Sequence, residues 1–149
     1  MWKRYRIGLC GWGLAVYLLQ ILPNLIWMLW PPENDVLSQN TSPYLGLELS
    51  EKISGVLLAA GLILLKRQLS SRNHPVFLFL SIGFLCGYYA AWGCYFAGMV
   101  QPWLLVAGLA AMPPLCFAAC AVWLRNGLVL FPCALFAVVH VTITCQTYL

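Results

Sequence analysis

Charged side chains are scarce in this chain. Only 8% of its 149 residues are charged, eight of them basic and four acidic, and there are two histidines. A soluble domain of this length carries a charge at about a quarter of its positions. Catalytic motifs are lacking as well: the sequence contains no H-E-x-x-H, no G-x-S-x-G, no phosphate loop and no Rossmann fingerprint. The shortage of charge excludes a water-soluble globule, a disordered tail and a nucleic-acid-binding protein, and the missing motifs leave no familiar class of enzyme.

Apolar residues are abundant instead, at 62% of the chain. A membrane-spanning helix needs about 20 of them. The sequence therefore predicts an all-α fold, a polytopic membrane helix bundle in one membrane domain over 1–149. Five transmembrane helices are expected, at about 7–30, 43–65, 76–99, 103–124 and 128–149.

Turn signals set the limits of these segments. Pro31-Pro32 ends the first, and Ser42 with Pro43 is predicted to cap and open the second. The second segment has the weakest signal, because its purely apolar run covers only 53–65 and its full length includes Glu48, Glu51 and Lys52.

The basic residues decide in favour of five spans with the N-terminus inside and the C-terminus outside. Lysine and arginine concentrate on the cytoplasmic side of membrane proteins. With five spans, seven of the eight lie inside, namely Lys3, Arg4, Arg6, Lys66, Arg67, Arg72 and Arg125. The net charge of +4 then reflects topology, and the first segment is expected to be an uncleaved signal anchor.

Polar side chains collect in the outer half of the predicted bilayer. A helix rises about 1.5 Å per residue, and by that count four helical faces bring polar groups to one depth. Ionisable groups in membranes usually face a bundle interior or a watery cavity. The candidate ligand-binding residues are Asn24, Glu48, Glu51, Tyr88, Tyr89, Trp92 and His140.

Structural roles for the same residues stay open. Glu48 and Lys52 are spaced to neutralise each other, and the aromatic residues and His140 suit interhelical packing. Asn24 is expected to satisfy a carbonyl that Pro23 frees. Pro113-Pro114 predicts a kink in the fourth segment, either a static bend or a broken helix at a binding site. The seven cysteines show no metal-site spacing, so we expect free thiols, no metal and no cofactor.

These residues resemble a family of small, uncharacterised bacterial multipass membrane proteins. The likeness runs from about Ile21 to His140. It is carried by Pro23-Asn24-x-Ile26-Trp27, Pro31-Pro32-x-Asn34, Tyr88-Tyr89-x-x-Trp92-x-x-Tyr95-Phe96, the Met112-Pro113 region and His140. Members of that family usually carry a basic residue where Cys94 stands here, before Tyr95-Phe96. The family has no assigned activity, so the resemblance implies topology and a polar belt only.

The leading functional prediction is a non-catalytic protein of a bacterial cytoplasmic membrane. Its outward-facing polar pocket would bind a small ligand, a lipid headgroup or an ion. The first alternative is a helper subunit of a larger membrane complex, in which the polar belt holds helices together. The second is an intramembrane enzyme. The lipid bilayer is the expected partner, and no binding to nucleic acid is expected. The sequence does not decide the oligomeric state.

Overall fold

The computed structural model describes residues 5–67 and 74–149, and the described chain is a bundle of helices. The order of its elements is β1 (Tyr5–Ile7), α1 (Gly11–Leu29), α2 (Leu45–Leu64), β2 (Leu65–Arg67), α3 (Pro75–Phe96), a π-helical segment (Leu104–Ala111), α4 (Met112–Trp123) and α5 (Leu130–Tyr148). Four helical stretches are long and apolar enough to cross a membrane: Gly11–Leu29, Pro75–Phe96, Leu104–Trp123 and Gly127–Tyr148. The fold is therefore all-α, as predicted, apart from two short strands.

Two predicted helix starts are wrong. The first segment was expected to be helical from Ile7, but Tyr5–Ile7 pairs as a strand with Leu65–Arg67 and the helix begins at Gly11. The second helix begins at Leu45 with Tyr44 as its N-cap, two residues later than Ser42 and Pro43 predicted. Backbone pairing explains the first difference. The amides of Gly8 and Cys10 donate to the carbonyls of Leu64 and Ile63, and so cap the end of α2.

Successive helices run in opposite directions. The strand pair places the start of α1 beside the end of α2, where Gly13 lies against the Leu62 carbonyl so closely that a Cβ would collide. Helix α2 then lies along α5 over its whole length, with Gly61 near Val129 at one end and Glu51 near His140 at the other. The most extensive packing joins α3 to α4 and α2 to α5.

The paired prolines lie at a change of helix type. The hydrogen-bond ladder is π-helical up to Ala111, and Pro113 and Pro114 then occupy the first turn of α4. Because neither proline has an N–H to donate to the carbonyls of the preceding turn, the regular hydrogen-bond ladder is interrupted at this point. Gly108 in the π-helical segment permits close packing on α3, since a Cβ would lie 2.7 Å from Ala91 Cβ.

Two clusters of buried apolar side chains lie toward opposite ends of the bundle. The cluster near the strand pair contains Leu58, Leu62, Phe117, Cys120, Ala121, Val129 and Cys133. The cluster at the other end contains Tyr88, Ala91, Trp92, Tyr95, Leu104, Leu105 and Leu109. The polar side chains of the candidate site lie between and above them.

Candidate functional site

Glu51 and His140 form a hydrogen-bonded pair between α2 and α5. Oε1 of Glu51 is hydrogen-bonded to Nδ1 of the His140 imidazole. The two side chains are 21% and 23% exposed, so both are mostly withdrawn from the surface. The Phe136 ring stacks on the imidazole with centroids 5.0 Å apart. The pair is thereby held in one orientation, with Nε2 left as the second polar atom of the ring.

Asn24 and Tyr88 form the facing wall, between α1 and α3. The Asn24 amide donates to the Tyr88 hydroxyl over 2.7 Å, and Tyr88 is 2% exposed. Trp92 follows one turn later on α3, and its ring meets Tyr88 edge-on with centroids 6.2 Å apart. The i, i+4 spacing of Tyr88 and Trp92 places both rings on the buried face of α3.

These residues enclose a cavity of about 270 Å³, here called the polar chamber. Its wall contains carboxylate, imidazole, amide, phenol and hydroxyl groups, so it offers both donors and acceptors. Asn40 reaches in from the loop before α2 and donates to Thr144 over 3.2 Å. The lining residues are Asn24, Trp27, Leu37, Asn40, Glu51, Tyr88, Trp92, Leu105, Leu109, Ala110, His140 and Thr144.

A second cavity of about 270 Å³, here called the aromatic chamber, adjoins the first. The two share Asn24, Tyr88, Leu109 and His140 as a common wall. The aromatic chamber lies deeper between the helices, and most of its lining is apolar. Its lining residues are Tyr17, Gln20, Ile21, Asn24, Gly55, Leu58, Tyr88, Leu109, Pro113, Phe117, Phe136 and His140.

Five of the seven candidate residues line the polar chamber, and two do not. Glu48 accepts from the Ser42 backbone N–H over 2.8 Å and lies 3.5 Å from Lys52 Nζ. It therefore stabilises the start of α2. Tyr89 donates to the Leu19 carbonyl over 2.7 Å on the outer face of the bundle. Neither side chain lines the cavity, since each is held by these other contacts.

Asp35 forms a network that the sequence analysis missed. Its Oδ1 accepts from the Tyr95 hydroxyl at 2.5 Å, from the Trp27 indole N–H at 2.9 Å and from the Leu37 amide at 3.1 Å. Burial raises the pKa of Asp35, but these bonds and one from Ser38 outweigh it and leave the pKa below its usual 3.8. The network fixes the loop above the polar chamber. The order Trp27, Asp35, Tyr95 gives no local spacing from which to predict it.

Metal ligands and disulfides are not found within 5–67 and 74–149. No group of three or more histidine, cysteine or acidic side chains in these ranges is placed to hold a metal ion. All seven cysteines lie in them and are free thiols, as expected. Cys116, for example, is hydrogen-bonded to the Ser81 carbonyl and hydroxyl between α3 and α4. What the site offers is hydrogen bonding and one carboxylate–imidazole pair.

Comparison with known proteins returned no relative. No family model matches the chain. No curated protein and no solved structure matches it either.

Proposed function

We propose that the chain is a five-span protein of a bacterial cytoplasmic membrane that binds a small polar ligand in the polar chamber and catalyses no reaction. The bacterial membrane is inferred from the family resemblance, and the absence of catalysis from the lack of a familiar catalytic constellation. The number of spans, the orientation and the ligand each have separate support.

The length and packing of α2 support a fifth span. It has 20 residues, about 30 Å at the helical rise, which equals the hydrocarbon thickness of a bilayer. It lies alongside α5 from Gly61 to Glu51. Its charges occupy only the first eight residues, where Glu51 is paired with His140, and Lys52, 73% exposed, is paired with Glu48 near the end of the helix.

The charges at the two ends of the bundle support a cytoplasmic N-terminus. The end with the strand pair carries Arg6, Lys66 and Arg67, and the turn at Arg125 lies beside it. The opposite end carries Glu33 and Asp35. Basic residues favour the cytoplasmic side, so the polar chamber would face outward.

The single observation that carries the binding proposal is the Glu51–His140 pair facing the polar chamber. An ionisable pair at membrane depth is costly and usually faces a cavity that ions or ligands reach. A carboxylate beside amide and phenol groups suits a cation or a molecule rich in N–H and O–H donors. The ligand class is therefore a small polar donor or cation.

Cysteine accessibility tests the proposal. In a background without the native cysteines, Thr144→Cys places a thiol in the polar chamber, and Ser81→Cys places one between α3 and α4. Thr144 is 1% exposed and Ser81 is 3% exposed, so the two positions are equally buried. They differ in that only Thr144 lines the polar chamber. A membrane-impermeant methanethiosulfonate added outside should modify Thr144→Cys and spare Ser81→Cys.

Equal protection of both thiols would contradict an open chamber. It would favour the helper-subunit alternative, in which the polar groups only join helices, and partner proteins should then co-purify in mild detergent.

A further inference from the structure

Gln20 in the aromatic chamber is a buried side chain without a partner. It is 3% exposed, and neither its Nε2 nor its Oε1 is hydrogen-bonded to any described residue. Buried polar groups in native proteins are almost always hydrogen-bonded, because an unmet donor or acceptor keeps its desolvation penalty. An amide that both donates and accepts therefore requires a partner with the same two abilities.

The surroundings of Gln20 are aromatic. Tyr17 stacks on Phe117 with ring centroids 6.2 Å apart, and Phe136, which also lines the chamber, stacks on His140. The volume of about 270 Å³ exceeds the roughly 150 Å³ of an engineered cavity that takes up benzene. One ring with substituents fits this space. A charged ligand does not suit it, because the described residues that line it include no aspartate, glutamate, lysine or arginine.

A groove leads from the outer surface of the bundle to the aromatic chamber. It has a volume of about 580 Å³ and shares Tyr17, Gly55 and Phe136 with the chamber. Small residues on α2, Gly55 and Ala59 among them, make room for it. Val56 in its wall is 67% exposed. If α1 and α2 both span the membrane, this exposed surface faces lipid.

We propose that the aromatic chamber is a second binding site, for a neutral ring compound with one hydroxyl group that enters from the bilayer. The hydroxyl would accept from Gln20 Nε2 and donate to Oε1, and the ring would lie among Tyr17, Phe117 and Phe136. This site is separate from the polar chamber, although the two share a wall, and Glu51 does not line it. Its route of entry alone depends on the five-span topology.

A matched pair of probes tests the hydroxyl requirement. The full chain in nanodiscs is titrated with 4-fluorophenol and with fluorobenzene, and binding is followed by ¹⁹F NMR. A phenol is neutral at pH 7, since its pKa is about 10. We expect saturable binding of 4-fluorophenol about tenfold tighter than that of fluorobenzene, the usual value of one hydrogen bond to an otherwise unpaired group. Absence of saturable binding, or equal affinity for both probes, would overturn the proposal. A buried water molecule would then be the partner of the Gln20 amide.

Two glutamine variants assign the preference to Gln20. Gln20→Leu should bind fluorobenzene at least as well as the wild type and lose the preference for the phenol. Gln146→Leu changes an exposed glutamine of α5 and should keep it. A preference that survives in Gln20→Leu would overturn the assignment. If Gln20→Leu does not fold, Gln20→Met takes its place, and the wild-type comparison stands without either.

The entrance is tested by the rate of exchange. Gly55→Val adds a side chain where a Cβ would lie 3.5 Å from the Phe136 ring, at the junction of groove and chamber. Gly83→Val adds the same side chain on α3 in open space. We expect Gly55→Val to slow 4-fluorophenol exchange several-fold and Gly83→Val to leave it unchanged. Equal rates in the two variants would overturn entry through the groove.

Discussion

Tyr89 on α3 donates its hydroxyl to the carbonyl of Leu19 on α1 over 2.7 Å. That carbonyl lies four residues before Pro23, which has no N–H to offer it. The sequence analysis assigned such a role to Asn24. The Asn24 amide instead donates to the Tyr88 hydroxyl at a distance of 2.7 Å. Its bond to the backbone carbonyl of Gln20 is longer, at 3.4 Å. A side chain of α3 thus supplies the hydrogen bond that the Leu19 carbonyl of α1 loses because Pro23 has no N–H.

Removing this hydroxyl should destabilise the protein. Tyr89→Phe leaves the Leu19 carbonyl unpaired in an apolar setting, and we expect a loss of about 1 kcal/mol in the free energy of unfolding, measured by SDS titration. In a Pro23→Ala background the helix supplies an N–H again, so Tyr89→Phe should then cost close to nothing. An equal cost in both backgrounds would contradict the compensation.

Much of the fold follows from local sequence signals. Apolar length locates the helices, and Pro31-Pro32 and Pro75 mark a helix end and a helix start close to where the structure has them. The strand pair was missed, because Tyr5–Ile7 becomes a strand only through pairing with residues about sixty positions away. The positions of close helix approach were not predicted, because the sequence does not distinguish Gly13, Gly61 and Gly108, which leave no room for a Cβ, from a glycine in open space such as Gly83.

Part of the candidate site also follows from a local signal, namely the helical spacing of its polar residues. Helical spacing brings Asn24, Glu51 and His140 to one depth, and the chamber forms there. Depth alone does not say which way a side chain points around its helix, and Glu48 and Tyr89 do not line the chamber. The partners of a loop residue such as Asp35 depend on tertiary packing and carry no local pattern.

Asn126, in the turn before α5, is hydrogen-bonded to the end of α2. Its side-chain amide donates to the backbone carbonyls of Gly61 and Leu65, each at a distance of 3.0 Å, and the residue is 1% exposed. Asn126→Ala should lower the free energy of unfolding by about 2 kcal/mol, since two helix-end carbonyls lose their partner. Asn34→Ala, which removes an exposed bond to the Gly98 carbonyl, should cost less than about 0.5 kcal/mol. Equal losses would show that burial does not set the cost.

Asp35 should make stability depend on pH in the acid range. Its pKa is lowered in the folded protein, so the stabilisation is present above about 3.8 and is lost as the pH falls through the folded value. Thermal unfolding in detergent should show a melting temperature that declines as the pH drops below that point. Asp35→Asn should flatten the decline, and Glu33→Gln, which changes an exposed carboxylate nearby, should keep it. A wild-type slope in Asp35→Asn would contradict the network.

Glu51 and His140 should be energetically coupled. In a double-mutant cycle of Glu51→Leu and His140→Leu we expect a coupling of about 1 kcal/mol, typical of hydrogen bonds between membrane helices. Glu48 and Lys52 make the matched cycle, because they are 3.5 Å apart and Lys52 is 73% exposed. Their coupling should stay below about 0.5 kcal/mol. Additive effects at Glu51 and His140 would mean that their contact contributes nothing to stability.

The central claim, that α2 crosses the membrane and the polar chamber opens outward, is tested most directly by labelling two exposed loop positions in intact cells. Gln39 precedes α2 and His74 follows it, and both are exposed. In a background without native cysteines, an impermeant maleimide should label Gln39→Cys from outside, and His74→Cys only after the membrane is permeabilised. Labelling of both positions from outside without permeabilisation would contradict the five-span topology and the outward-facing chamber with it.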